Sequence, residues 1–224
     1  KKIKKNLILS KKAEYELFIE EQNLHSVGVA ELAKKEKELK RGLAEKIEQS
    51  KKIQQEIVKI LAEELKKRTY LNSNKSFTPT PEAIALSNNF ITNKGMLPWP
   101  VKNGVIISVF GKQKHSVLNN VTVENNGVEI ATDLHSYCRS IFNGIVSSVL
   151  ILPNGKKVVM IRHGDYISVY SNLSNVIVEK GQKINTKERL GLVYTSNDDG
   201  SAIIEFQLWK NSQVLNPLSW LMNK

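Results

Sequence analysis

The sequence predicts an α+β chain, with helices first and an antiparallel β domain last. Three observations carry this prediction. A Pro-free stretch over residues 1–70 repeats apolar residues at helical spacing among Lys, Glu and Gln. A second, short helix is announced at Thr80-Pro81-Glu82. From Met96 onward, short β-rich runs alternate with Gly and Asn-Gly turn signals, and no long helical pattern returns.

In the first stretch, Leu32, Leu39, Leu43, Ile47, Ile53, Ile57, Ile60 and Leu65 fall on one helical face close to a heptad seam. Over Val29 to Arg68, at 1.5 Å per residue, this predicts an arm of about 60 Å. Such a stripe needs a partner to bury it. Lys4 to Leu24, carrying Leu7, Leu9, Ala13, Leu17 and Phe18, supplies one if Asn23 to Gly28 turns the chain back. The expectation is therefore an antiparallel coiled-coil arm over residues 1–70, serving as a spacer or as a docking arm for another protein.

Residues 71–95 read as a linker and a connecting helix. Leu71 to Thr80 is rich in Asn, Ser, Lys and Thr. Thr80 is placed to cap, Pro81 suits the first helical position, and Glu82 puts an acid in the first turn. The helix is expected to run to Phe90 or Ile91, with Ile84, Leu86 and Phe90 as buried positions, and to stop in Thr92-Asn93-Lys94-Gly95. It is either a packing helix or a movable plug.

Residues 96–224 make the β domain. Strands are expected over Val105 to Phe110, Val128 to Ala131, Ile141 to Leu152, Lys157 to Arg162, Tyr166 to Leu173 and Ala202 to Trp209. Turn signals at Gly111, Gly127, Asn143-Gly144, Asn154-Gly155, Gly164-Asp165, Gly181 and Gly200 separate them. The last strand carries an anomaly. Glu205 sits in the middle of Ala202-Ile203-Ile204-Glu205-Phe206-Gln207-Leu208-Trp209, where a carboxylate is costly unless it is paired or faces a groove.

Composition narrows the function classes. A hydrophobic fraction of 41% is ample for a packed core, and no apolar run approaches the roughly 20 residues a membrane span needs. One cysteine, Cys138, excludes an internal disulfide. The net charge of +11 is compatible with an anionic partner, but the lysines interleave with glutamates and no nucleic-acid recognition motif is present. The chain opens on Lys1 and reads as a fragment, so the absence of a signal peptide decides nothing.

The β domain resembles the lysostaphin/LytM-type zinc metallopeptidases, which cut cell-wall peptide cross-links. The matching landmarks are Trp99-Pro100-Val101, Val109-Phe110-Gly111, Gly127-Val128-Glu129-Ile130-Ala131, Phe142-Asn143-Gly144-Ile145-Val146, Ile161-Arg162-His163-Gly164, Tyr170-Ser171-Asn172-Leu173, Val178-Glu179-Lys180-Gly181-Gln182, Glu205-Phe206-Gln207-Leu208-Trp209 and Leu215-Asn216-Pro217-Leu218. The resemblance implies a duplicated hybrid motif fold. It also implies where zinc would sit: an HxxxD pair falling on Asn125 and Glu129, an HxH pair falling on Ile203 and Glu205, and a Tyr-x-His histidine falling on Asn172. No histidine stands at any of these positions, so the resemblance implies no metal, no cofactor and no catalytic residue here. Of the four histidines, His25, His115, His135 and His163, none pairs with another at ligand spacing.

What remains resembles the EnvC-type murein hydrolase activators, which join a coiled coil and a connecting helix to a degenerate LytM domain. That resemblance implies a periplasmic, non-enzymatic protein of cell division. Its coiled coil would dock on an FtsE–FtsX-like complex in the inner membrane. Its groove, formed by Asn125, Asn126, Glu129, Asn172, Glu205, Gln207 and Trp209, would bind a cell-wall amidase, with Trp209 as an anchor. The helix carrying Pro81, Ile84, Leu86 and Phe90 would block that groove, and Glu205 is expected to face a cleft and contact a polar or basic group from that helix or from a partner. The alternatives are an active zinc endopeptidase of peptidoglycan and a peptidoglycan-binding division scaffold.

Overall fold

The structure is a computed structural model and describes residues 2–70, 81–114, 122–196, 200–210 and 213–223. The expected linker with the Thr80 cap, and His115, lie outside the described residues. The chain divides into two units, Lys1–Ile57 and Val58–Lys224. Among the described residues no helix is long and apolar enough to cross a membrane.

Helix α1 runs without interruption over Lys2–Tyr70, 69 residues, or about 100 Å at 1.5 Å per residue. This corrects the antiparallel pair: Asn23 to Gly28 is helix, not a turn, so Lys4 to Leu24 cannot fold back onto the later stripe. The physical reason is that nothing there breaks a helix. No proline intervenes, and one glycine costs only about 1 kcal/mol relative to alanine. The Ser26 hydroxyl donates back to the Asn23 carbonyl at 2.8 Å, a bond that fits inside a helix. Ion pairs at i,i+4 join Glu31 to Lys35, Glu36 to Lys40, Arg41 to Glu45 and Glu48 to Lys52. Leu17, Phe18, Leu24, Leu32 and Leu39 are exposed along this helix. The side chains of Ile53, Ile57, Ile60 and Leu65 lie outside the described residues.

The second unit is built on an antiparallel sheet. Its strands are β1 (Val105–Ser108), β4 (Val128–Thr132), β5 (Tyr137–Arg139), β6 (Gly144–Ile151), β7 (Lys157–His163), β8 (Tyr166–Val176), β9 (Lys183–Ile184), β10 (Arg189–Val193), β11 (Ala202–Lys210) and β12 (Gln213–Leu215). The main path is β1-β4-β11-β8-β7-β6-β9, with β10 pairing β5 and β8, and β12 pairing β11. Strands β2 (Gly111–Lys114) and β3 (Thr122–Asn125) form a separate ribbon. Side chains alternate across a strand. Accordingly, Ala202, Ile204, Phe206 and Leu208 of β11 enter the core beside Val128, Ile130, Tyr170 and Leu173. The opposite face of β11 carries Ile203, Glu205, Gln207 and Trp209.

Helix α2 spans Pro81–Thr92. Its inward face is Ser87 and Phe90, with Ala83 and Leu86 half-buried, whereas Ile84 is exposed. The expected burial of Ile84 is thus corrected: the buried face follows positions 83, 86–87 and 90, and Ile84 lies off it. Phe90 is fully buried, stacked on His163 at 5.0 Å and Tyr166 at 4.8 Å between ring centroids, with Phe142 and Trp220 completing the cluster. The Ser87 hydroxyl donates to the Asp165 carboxylate at 3.3 Å. Gly164, at φ +72, permits this contact, since a Cβ there would lie 2.7 Å from the Ala83 carbonyl oxygen and 2.7 Å from the Ser87 Cβ.

This placement also corrects the first of the two contacts expected at Glu205, the one with α2. The helix packs where β7 turns into β8, and Tyr166 there pairs with Lys210. Glu205 pairs with Ser171, further along β8, a separation of about 17 Å at roughly 3.3 Å per residue. The aromatic cluster wins because it buries a whole phenylalanine, which the half-polar surface around Glu205 does not.

Candidate functional site

The outward row of β11 is tied together by side-chain hydrogen bonds. The Trp209 indole N–H donates to Gln207 Oε1 at 3.0 Å, and Gln207 Nε2 donates to Glu205 Oε1 at 2.8 Å. Trp209 and Gln207 are 1% and 2% exposed, so the expected role of Trp209 as a surface anchor is corrected. Together with Gln207 it supports Glu205 from below and offers no surface of its own. Gly127 of the β3–β4 turn makes room for this row. A Cβ on it would lie 2.2 Å from the Phe206 carbonyl oxygen and 2.8 Å from Gln207 Cγ.

Neighbouring strands complete the surface. Glu129 of β4 stands directly opposite Glu205, and Ser108 of β1 stands opposite Glu129. Asn125, half-buried at the end of β3, donates from Nδ2 to the Ser108 hydroxyl at 3.0 Å and accepts the Gly127 N–H at 3.0 Å on Oδ1. Asn126 follows in the same turn, also half-buried. On the other side of β11, Ser171 of β8 is opposite Glu205. It is 1% exposed, and its hydroxyl has no partner among the described residues. Asn172 holds φ +68, a conformation asparagine tolerates better than most residues. Its Nδ2 donates to the Ile203 carbonyl, and its buried Oδ1 has no partner among the described residues.

The structure therefore brings Asn125, Asn126, Glu129, Asn172, Glu205, Gln207 and Trp209 onto one region, and adds two residues that the sequence did not single out, Ser108 and Ser171. Ser171 was within reach of sequence reasoning, because it lies inside the Tyr170-Ser171-Asn172 landmark. Its alignment with Glu205, however, depends on strand register. Pro81, Ile84, Leu86 and Phe90 lie elsewhere, on α2.

A catalytic zinc site takes about three protein ligands with one position open. The residues at the relevant positions do not fit that requirement. Ile203 has no side-chain donor atom. Asparagine amides, present at Asn125 and Asn172, are poor zinc ligands, and Asn125 Oδ1 already accepts the Gly127 N–H. Among the described residues, no group of three or more His, Cys, Asp or Glu side chains is placed to hold a metal ion.

The other reactive side chains sit elsewhere. His163 is fully buried, between the Asn143 carbonyl at 2.6 Å from Nδ1 and the Ser168 hydroxyl at 2.7 Å from Nε2. These partners set the tautomer: Nδ1–H donates to the carbonyl, and Nε2 accepts from the hydroxyl. Burial is the main cause that pushes its pKa down to about 4. Cys138 is buried in the core, and burial raises its thiol well above the usual range. His135 is exposed at φ +57, and His25 is exposed on α1.

Residues 123–217 match the model of "Peptidase family M23". The chain is 32% identical over 144 residues to NMB1333 of Neisseria meningitidis serogroup B, covering 64% of this chain and 23% of that protein. It is 20% identical over 113 residues to a protein of Buchnera aphidicola subsp. Baizongia pistaciae described as an uncharacterized metalloprotease, covering 50% of this chain and 30% of the relative. The chain thus spans less than a third of the length of either relative. Among solved structures, Helicobacter pylori Csd3 superposes with a TM-score of 0.48 at 28% identity, over 58% of this chain and 36% of that one. Within the β unit, residues 123–217 are thus similar to the peptidase M23 (LytM-type) domain.

Proposed function

We propose that the chain is a non-enzymatic activator of a cell-wall amidase, acting through the sheet face around Glu205. The observation that carries this reading is the side-chain set at the family's ligand positions. Two opposed carboxylates, two asparagine amides and an isoleucine occupy them. A sheet face that held a peptide substrate keeps its shape when metal ligands are replaced, and can then hold a segment of a partner protein. Trp209 and Gln207 maintain that shape by fixing Glu205.

In this reading the chain is an EnvC-type activator of cell division that works in the periplasm. Helix α1, with leucines exposed along it, is the element that docks on an inner-membrane FtsE–FtsX-like complex. The position of α2 in the aromatic cluster makes it part of the domain's support, so access to the face is controlled by something other than α2 lifting away from Glu205.

Two measurements on purified protein test the reading. Metal analysis is expected to find no stoichiometric zinc, and the chain alone is expected to release nothing from peptidoglycan. Mixed with each cell-wall amidase of the source organism, it is expected to bind one and accelerate its hydrolysis. Stoichiometric zinc together with intrinsic cutting refutes the non-enzymatic part. Peptidoglycan binding without effect on any amidase refutes activation and favours a scaffold.

A further inference from the structure

Helix α1 carries a seam that repeats every seven residues. Val29, Glu36 and Leu43 share one position of the repeat, and Leu32, Leu39 and Lys46 share the position three residues further on. This is the spacing of the two core positions of a coiled coil, which keeps one stripe facing a second helix. Val29, Leu32 and Leu39 are exposed, and Leu43 is half-buried. At these residues the stripe is uncovered, and an apolar stripe favours burial against another helix. The seam is also its own complement. Leu39 and Leu43 lie two residues either side of Arg41, and Glu36 and Lys46 lie five residues either side of it. Two copies of α1 laid antiparallel about Arg41 therefore set Leu39 on Leu43 of the second copy and Glu36 opposite Lys46 of the second copy. Each pairing occurs twice, as two-fold symmetry requires.

We infer that α1 pairs with α1 of a second copy of this chain as an antiparallel coiled coil centred on Arg41. This pairing goes beyond the activator reading and does not depend on it. Charge selects the orientation, because a parallel pair in register would set Glu36 on Glu36 and Lys46 on Lys46. Charge also selects the register. A slip of one heptad in one direction sets Glu36 against Leu39 and Lys46 against Val29, and in the other direction against Ile53 and Leu43. Either slip leaves both charges facing apolar residues. Gly42 fits the same arrangement. A glycine inside a helix is unfavourable relative to alanine, and a Cβ on Gly42 would meet nothing within 4 Å in its own chain. Beside the two-fold axis it faces its own counterpart, where a missing side chain lets the two backbones approach. Lys40 faces its counterpart on the other flank, and each Lys40 is neutralised by Glu36 of its own helix at 2.7 Å. A carboxylate has about four acceptor positions, so Glu36 serves both Lys40 and Lys46 of the second copy. Leu24 and Val27, exposed and off the seam, stay available for the docking role of α1.

Analytical ultracentrifugation of the full chain tests this. Wild type is expected to show a monomer–dimer equilibrium, with the dimer at twice 25.3 kDa. Glu36→Lys puts like charges into both ion-pair layers and is expected to raise the dimer Kd at least ~10-fold. Glu36→Lys/Lys46→Glu exchanges the charges and is expected to bring the Kd back to within ~3-fold of wild type. The exchange does not restore the contact between residues 36 and 40 of one helix, so recovery reports the pair between copies. Glu38→Lys makes the same change of charge at an exposed position off the seam and is expected to leave the equilibrium unchanged. A monomer throughout the micromolar range overturns the inference. So does a dimer whose Kd changes less than about 3-fold in Glu36→Lys, or one that the charge exchange fails to recover. A parallel pair gives the first of these two results, because it already sets like charges together. None of these readings depends on an amidase, so the activator reading stands or falls separately.

Discussion

Replacing Phe90 by alanine should unfasten α2 and destabilise the whole β unit. Phe90 is fully buried and contacts four aromatic rings from β7, β8 and the segments before β6 and after β12. Truncating a buried phenylalanine costs about 3–5 kcal/mol. For a unit of this size, each kcal/mol corresponds to roughly 2–4 °C in Tm, so a fall of about 10 °C is expected. Tryptophan fluorescence is the suitable assay, because Trp99, Trp209 and Trp220 all lie in the second unit and α1 contributes none. Phe90→Leu, which keeps most of the buried volume, should fall much less. If Phe90→Ala melts within about 2 °C of wild type, or binds an amidase more tightly with its fold intact, α2 is a detachable plug and its assignment as structural support is wrong.

Three further outcomes follow from the geometry. His163 has a folded pKa of about 4 against an ordinary value of 6.5. The unfolded chain therefore binds the extra proton first, and stability should fall as pH drops from about 6.5 to about 4, by about 3 kcal/mol in total. Urea titrations across that range check this, and His163→Asn should remove the dependence. Gly127→Ala would put a Cβ 2.2 Å from a backbone oxygen of β11, so a loss of about 1–3 kcal/mol in urea unfolding is expected, with disturbed Trp209 fluorescence. Trp209→Phe keeps most of the ring volume but leaves the buried Gln207 oxygen without its donor, a cost of about 1–3 kcal/mol in the same measurement.

The longer elements were legible in the sequence because period and punctuation agreed. Helix α2 and strands β4, β7, β8 and β11 lie within a few residues of where alternation, Pro81 and the Gly signals place them. The short strands β2, β3, β5, β9 and β12 were not legible, since two to four residues cannot show a period. The turn expected at Asn23 to Gly28 failed for a different reason. An apolar stripe signals that a helix needs covering, but does not say that the cover comes from the same chain. At the candidate site, residue types suggested a face without metal ligands, and strand register then decided which residues meet. Trp209 looked like an anchor because sequence cannot distinguish the buried end of a row from its open end. Ile84 looked buried because it is apolar, although Ser87 occupies the inward position.

The central claim is that the face around Glu205 serves a partner's catalysis and performs none of its own. The most direct measurement is release of dye-labelled peptidoglycan by the cognate amidase, with and without the purified chain. No release by the chain alone, together with stimulation of the amidase that E129Q/E205Q fails to give, is the predicted result. Release by the chain alone that a zinc chelator abolishes would contradict the claim.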